Sequence, residues 1–270
     1  MSIQFNQCEV SISGIRLFAE SATITEQNSL NADYLLGNLV PVDFTPTDGV
    51  KNSFQINYTV EPHNEPNYNI IQNLKNYVPI FEPISIVVGG ITGLGYLENY
   101  RLQVTPNQII KASVTYNCYN ELSGQINPQT QQYNSPNLTG LAHYWSTQAT
   151  LSDNSTTGSV ISMDYNFKAS WNPIYIIGNK SPPQVVLIAA EENFNITSEF
   201  LTHVLYTGQN AGTAFNNFNQ FNINNIGFLW NTSPIYTLKF DLRGGTVANT
   251  TTEIKTDNLI IITNTVNKYY

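Results

Sequence analysis

Charge is the scarcest property of this 270-residue chain: Asp, Glu, Lys and Arg make up only 11% of it, under half the share of about 25% found in an ordinary soluble domain. Coiled coils, long solvated helices and charged disordered tails are excluded, because all three are built from those residues. Basic residues are the fewer, 11 against 19 acidic, and no window gathers them. A chain of formal net charge -8 with no basic footprint does not grip nucleic acid through its phosphates. Such a surface suits a protein past which DNA moves without sticking, and equally one that only needs to stay dissolved.

Cysteine occurs twice, as Cys8 and Cys118, too few for a disulfide framework, and a reducing compartment would leave both as thiols. The three histidines, His63, His143 and His203, have no second histidine or cysteine three or four residues away, so local spacing builds no zinc site. Gly-x-Ser-x-Gly and Gly-Lys-Ser/Thr are both missing, which removes the usual serine-nucleophile and phosphate-loop signatures. No basic cluster with a following apolar stretch opens the chain, and no apolar run nears the roughly 18 residues that cross a bilayer. Glu191 and Glu192 are adjacent, and in a strand adjacent side chains face opposite ways, so the pair does not converge on a substrate. These absences predict a non-enzymatic protein without metal or cofactor, folded in cytoplasm and not in a membrane.

Polarity comes instead from amides and hydroxyls, with 36 asparagines. The six Asn-x-Ser/Thr sequons follow from that composition and do not imply secretion. Aromatics reach 12%, and most sit at alternating positions, where a sheet core places them. Phe215, Phe218 and Phe221 are exceptions at three-residue spacing, readable as a weak helical face or as an aromatic contact loop.

The chain repeats itself. Tyr34-Leu-Leu-Gly37-Asn38 returns as Tyr175-Ile-Ile-Gly178-Asn179, and Ser53-Phe54-Gln-Ile56 as Asn193-Phe194-Asn-Ile196, at offsets of about 141 and 140. Pro83-Ile84 returns as Pro234-Ile235, and Thr105 to Ile110 as Thr256 to Ile261, both at about 151. Order is kept, and one insertion in the Asn-rich stretch 208–232 reconciles the offsets. A duplicated unit is therefore expected, with copy one at 1–121, a Gly/Pro/Gln/Asn/Ser linker at 122–141 and copy two at 142–270.

Alternation over Ser53 to Val60 predicts a half-buried strand with Phe54, Ile56, Tyr58 and Val60 on one face. Asn64-Glu65-Pro66 predicts the start of a short amphipathic helix carrying Tyr68, Ile70, Ile71 and Leu74. Ile84 to Val88 and Tyr96 to Val104 predict a hairpin around Gly89, Gly90, Gly93 and Gly95, followed by a strand over Ile109 to Tyr119. In copy two the plan predicts strands at Asp164 to Ala169, Phe194 to Thr197, Ile235 to Leu242, Thr250 to Lys255 and Leu259 to Val266, with a helix from about Ser198 through Leu205. The expected class is mainly β: two similar antiparallel sandwich or barrel domains, each with one short helix.

The plan of copy one resembles the tube domain of tailed-bacteriophage tail tube proteins, in its opening Val10-Ser-Ile-Ser-Gly14 and in Val87 to Gly90 followed by Gly95-Tyr96-Leu97. The resemblance covers about 110 residues of copy one and copy two only in part. It implies a virion subunit that assembles in the host cytoplasm into rings of a tail tube or tail-tip hub, around a channel for DNA. Three chains with two domains each would make a pseudo-hexamer. Its partners would be itself and other phage tail proteins, with DNA as transient, non-specific cargo. The segments after the two Tyr-x-x-Gly-Asn turns would then carry contacts between stacked rings: Val40, Val42, Phe44, Pro46, Asp48, Gly49 and Val50 in the first, Pro182, Pro183, Val185 and Val186 in the second. The first of them, Leu39 to Asn52, is too apolar for an idle loop and too broken for a core strand, and its alternative is to fold back on its own sheet. A carbohydrate- or receptor-binding β-module, using Asn-rich loops and Trp145, Trp171 and Trp230, is the alternative of a different class.

Overall fold

Phe54, Ile56, Tyr58 and Val60 are buried together, and the residues between them face outward or lie half-buried, as strict alternation demands. The computed structural model of the chain describes residues 9–27, 30–33, 40, 43–46, 49–76, 82–126, 142–151, 159–201, 211–214, 218–225, 237–254 and 259–270. Its strands are β1 (Val10–Ile12), β2 (Ile15–Arg16), β3 (Phe18–Gln27), β4 (Leu30–Asp33), β5 (Asp43–Pro46), β6 (Lys51–Thr59), β7 (Ile84–Val88), β8 (Ile91–Val104), β9 (Lys111–Cys118) and β10 (Ser123–Gly124). They continue as β11 (Ala142–Leu151), β12 (Ser159–Ile174), β13 (Gln184–Leu201), β14 (Phe218–Asn225), β15 (Thr237–Asp241), β16 (Thr246–Ile254) and β17 (Leu259–Tyr269). Between β6 and β7 lies α1 (Pro66–Lys75).

The chain is mainly β, with an antiparallel main sheet of 12 strands organised around β8. Along one edge β8 holds β10 and β9; along the other it holds β7 and then β12. From β9 the sheet runs through β6 to β3, from β12 through β13 and β17 to β16, and from β7 through β1 to β2. It does not close into a barrel. Three further strands, β11-β14-β15, form a second sheet, and β4 pairs with β5. The second layer meets the first through Phe240 of β15, whose ring lies 4.7 Å from that of Tyr165 in β12. Helix α1 joins the same core: Tyr68 packs edge-on against Phe240 at 6.0 Å, and its hydroxyl donates to the Lys239 carbonyl.

Glu65 caps α1, its carboxylate accepting from the Asn67 N–H at 3.2 Å, while Asn64 closes a preceding 3-10 turn. The cap therefore falls one residue after Asn64, with Pro66 pre-set at the first helical position. A second helix from Ser198 is not formed over the described part of that segment. Ser198 to Leu201 is the end of β13, held by β17 through pairs running from Ser198 with Ile262 to Leu201 with Leu259. Pairing against a neighbour satisfies the backbone there, and an isolated single turn of helix cannot compete with it. Phe218 and Phe221 also lie in a strand, β14, which removes the helical reading for them; Phe215 lies outside the described residues.

Gly89 and Gly90 form the two-residue turn of the β7–β8 hairpin, with φ of 61° and 95° between the paired Val88 and Ile91, the left-handed geometry such a turn requires. Gly93 and Gly95, grouped with them in the sequence, lie inside β8. A Cβ on Gly93 would stand 2.5 Å from Cε2 of Phe54, and one on Gly95 2.6 Å from Cδ1 of Ile86, so these two glycines make room for core side chains.

Two groups of four strands share one order, β3-β6-β9-β8 and β12-β13-β17-β16, and one register. A bulge opens between Ala19 and Ser21 of β3 against Tyr58 and Asn57, and between Val160 and Ser162 of β12 against Ser198 and Thr197. Another opens between Leu97 and Asn99 of β8 against Tyr116 and Thr115, and between Val247 and Asn249 of β16 against Val266 and Thr265. Phe54 opposes Tyr116 as Phe194 opposes Val266. Both sets belong to one sheet, because β12 pairs with β8 from Met163 with Val104 to Lys168 with Asn99.

Replacing Gly95 with Val should cost about 1–3 kcal/mol through overpacking. Urea denaturation should show a lowered midpoint with an unchanged slope.

Candidate functional site: open edges and the hairpin arm

β3 and β16 are edge strands of the sheet, as β2 is: among the described residues β3 pairs only with β6, and β16 pairs with β17 and, at its first residues, with the 211–214 loop. Unpaired edges display rows of N–H and C=O groups that can template another strand. Exposure follows the same logic. Ile254, the last residue of β16, is 74% exposed.

The β12–β13 hairpin extends beyond its neighbours. Its strands pair out to Ile174 with Gln184, but β8 accompanies β12 only as far as Lys168, and β17 pairs with β13 only from Glu191 onward. At its tip Asn179 donates to the Ile176 carbonyl at 3.0 Å, with Gly178 at φ 92°. Ile174, Ile176, Ile177 and Ile188 are exposed along this arm. Trp171 anchors its base, donating from Nε1 to the Leu97 carbonyl at 2.7 Å and lying 5.0 Å from the Tyr96 ring. Lys168 and Lys180 are the only charged residues between Tyr165 and Ala190, so the arm carries +2 while the rest of the chain carries -10.

The residues singled out from the sequence are only partly gathered here. Gly49 abuts Tyr175 so closely that a Cβ on it would overlap the ring, which brings the first segment against the start of the second. Val40 is exposed, Val50 half-buried, and Phe44 and Pro46 lie in β5, paired with Ala32 and Leu30. Val42, Asp48, Tyr34, Gly37 and Asn38 lie outside the described residues. On the arm, Pro183 is exposed and Pro182 and Val186 are half-buried, but Val185 is buried in the chain's own core. Its surface is carried by the four isoleucines instead. Their spacing mixes strand and turn, so no single periodicity marks them in the sequence.

Two buried carboxyls were also missed. Glu191 and Glu192 do face opposite ways, Glu191 outward and Glu192 inward. Glu192 pairs with Lys75 of α1 and accepts from the hydroxyls of Tyr165 at 2.7 Å and Tyr270 at 2.6 Å. That fully partnered charge clamps α1 to the sheet. Glu65 has only hydroxyl and amide partners: Tyr58 donates to it at 2.6 Å and Asn67 Nδ2 at 3.1 Å, while Tyr116 donates to Asn67 Oδ1. Burial pushes the Glu65 carboxyl up to about 7, against the opposing pull of the Tyr58 and Asn67 hydrogen bonds, and drives Tyr58, Tyr100 and Tyr116 well above the ordinary phenol range. Neither carboxyl pairs with a second acid or with a nucleophile among these contacts. Burial likewise pushes the Cys118 thiol up to about 12, which leaves it inert. Among the described residues no cluster of three or more His, Cys, Asp or Glu could hold a metal, and no helix is long and apolar enough to cross a membrane.

The chain matches no protein-family model and no curated protein.

Glu65 sets a pH dependence. Its folded value, about 7, lies above the ordinary 4.5, so its contribution to stability is complete below pH 4.5 and is lost as pH rises through about 7. The loss is on the order of 3 kcal/mol. Chemical denaturation of the wild type and of Glu65→Gln across pH 4.5 to 8 should show the difference between them change by about that amount; parallel profiles would show that the carboxyl ionises normally.

Proposed function

We propose that this chain is a structural, non-enzymatic virion subunit that assembles with copies of itself into rings of a tailed-phage tail tube or tail-tip hub. The observation that carries this reading is the pair of four-strand groups of one order, β3-β6-β9-β8 and β12-β13-β17-β16, whose outer strands β3 and β16 have no second strand beside them among the described residues. Shared order, register and bulge positions support duplication of an ancestral unit. Two different open edges make a heterologous contact, which generates rings when its rotation closes. Six repeat units from three chains make the pseudo-hexamer that the resemblance to tube proteins implies. An acidic, weakly charged surface fits a channel that passes DNA without retaining it.

Contacts between stacked rings belong to the arm in this reading. It is apolar, it carries +2 on a chain whose remainder carries -10, and the first contact segment meets it at Gly49 and Tyr175. A second copy of the acidic chain is the complementary partner.

Mass photometry and negative-stain microscopy of the purified protein should show three-chain rings with a central hole. A monomer at all concentrations would sink the proposal. Replacing Ile176 and Ile177 together with Ser should leave single rings intact and reduce stacking at least tenfold by sedimentation; unchanged stacks would remove the arm from the contact.

A further inference from the structure

The chain contains one junction between its repeated units, and that junction specifies a second. Within the chain, the last strand of the first unit, β8, pairs with the first strand of the second, β12: Val104 opposes Met163, Leu102 opposes Tyr165 and Arg101 opposes Asn166. Every register marker described above places β16 at the position of β8 and β3 at that of β12. Leu97 and Asn99 correspond to Val247 and Asn249, and Ala19 and Ser21 to Val160 and Ser162. β16 and β3, the outer strands of the two groups, have no second strand beside them among the described residues.

We propose that β16 of one copy pairs antiparallel with β3 of the next in the register of the internal junction, with Ile254 opposite Ala22, Thr252 opposite Ile24 and Thr251 opposite Thr25. The inference rests on the assembly proposed above and adds the surface and the register. Exposure supports it. Val104, buried at the internal junction, corresponds to Ile254, which is 74% exposed, and Tyr165, fully buried beside β8, corresponds to Ile24, which is half-buried. A neighbouring β3 would cover Ile254, as β12 covers Val104. The pairing sets Thr251 against Thr25 and Thr252 against Ile24, β-branched cross-strand neighbours of the kind that stabilise a sheet, and no two like charges face each other directly. Glu253 falls opposite Thr23, and Glu26 opposite Thr250.

Register makes the test sharp, because a slip of one residue sends a side chain to the other face. In a Cys8→Ser background, Thr25→Cys with Thr251→Cys, and separately Ile24→Cys with Thr252→Cys, should form intermolecular disulfides under mild oxidation, visible on non-reducing gels as covalent oligomers up to the full ring. The two pairs alternate in hydrogen-bonding type, so one of them has the closer side-chain spacing. The out-of-register pair Thr25→Cys with Thr252→Cys should give at least tenfold less. Mass photometry on the same reduced samples reports assembly independently of the disulfide. Rings with in-register crosslinks support the inference. Rings that crosslink through neither pair, or equally well through the out-of-register pair, overturn this junction and leave the ring reading standing. If the wild type forms no rings, both fall together.

Discussion

Backbone hydrogen bonding along both edges of β8 is the constraint on which this structure depends. The strand is satisfied by β9 and β10 on one side and by β7 and β12 on the other, so the other eleven strands of the main sheet are registered against it, directly or through a neighbour. A strand saturated in this way tolerates no slip, since moving it by one residue would turn Leu102 and Tyr100 outward and Arg101 into the core. Arg101 makes the point from the other face: it grips Asp164 of β12 through Nε at 2.9 Å and through a second nitrogen. Such a surface pair contributes little stability, but it reads out the register across the junction.

The second layer inherits that order. Tyr100, Phe194 and Phe240 all pack against Tyr165 at the centre, and α1 is fixed to this core at both ends, by the Glu65 cluster at its start and the Lys75–Glu192 pair at its finish. A chain so poor in charge invests two of its carboxylates in the interior. One is neutralised by a lysine and two hydroxyls. The other is held among hydroxyls and amides and keeps its proton to higher pH, so two carboxyls in one core meet opposite solutions to the cost of burying a charge.

What the sequence made legible follows from the same physics. Alternation over Ser53 to Val60 reads as a half-buried strand, Asn64-Glu65-Pro66 reads as the start of a helix, whose cap the fold places at Glu65, and the glycines from Gly89 to Gly95 read as a hairpin turn, which the fold places at Gly89 and Gly90. The short matches at nearly constant offset run in step with the shared order of the two four-strand groups, although the clearest of them, Tyr34 to Asn38, falls outside the described residues, and the strongest structural markers are bulges that no residue type announces. Gly93 and Gly95 read as turn residues because glycine's usual reason is backbone freedom; here the reason is the bulk of Phe54 and Ile86, which only the folded sheet supplies. Ser198 to Leu201 read as helix because its pairing partner lies some sixty residues away in β17. The arm's isoleucines were not singled out, since exposure of apolar residues is decided by where a hairpin outruns its neighbours and not by local pattern.

Natural sheets commonly guard an open edge with lysine, proline or a covering loop. From Asn249 to Ile254 strand β16 has neither lysine nor proline, and β3 has only Glu20 and Glu26 along its ten residues. Its β-prone threonines leave that end of the chain adhesive from the moment it folds. Beyond Glu20, Glu26, Glu253 and the 211–214 loop over the start of β16, the described residues of these edges hold little that refuses a wrong strand, so in the assembly proposed above the correct neighbour must arrive before a stray one does. Expression level, order of synthesis and dilution therefore become part of its folding problem, and material made slowly beside plentiful copies of itself should behave differently from the same sequence made alone.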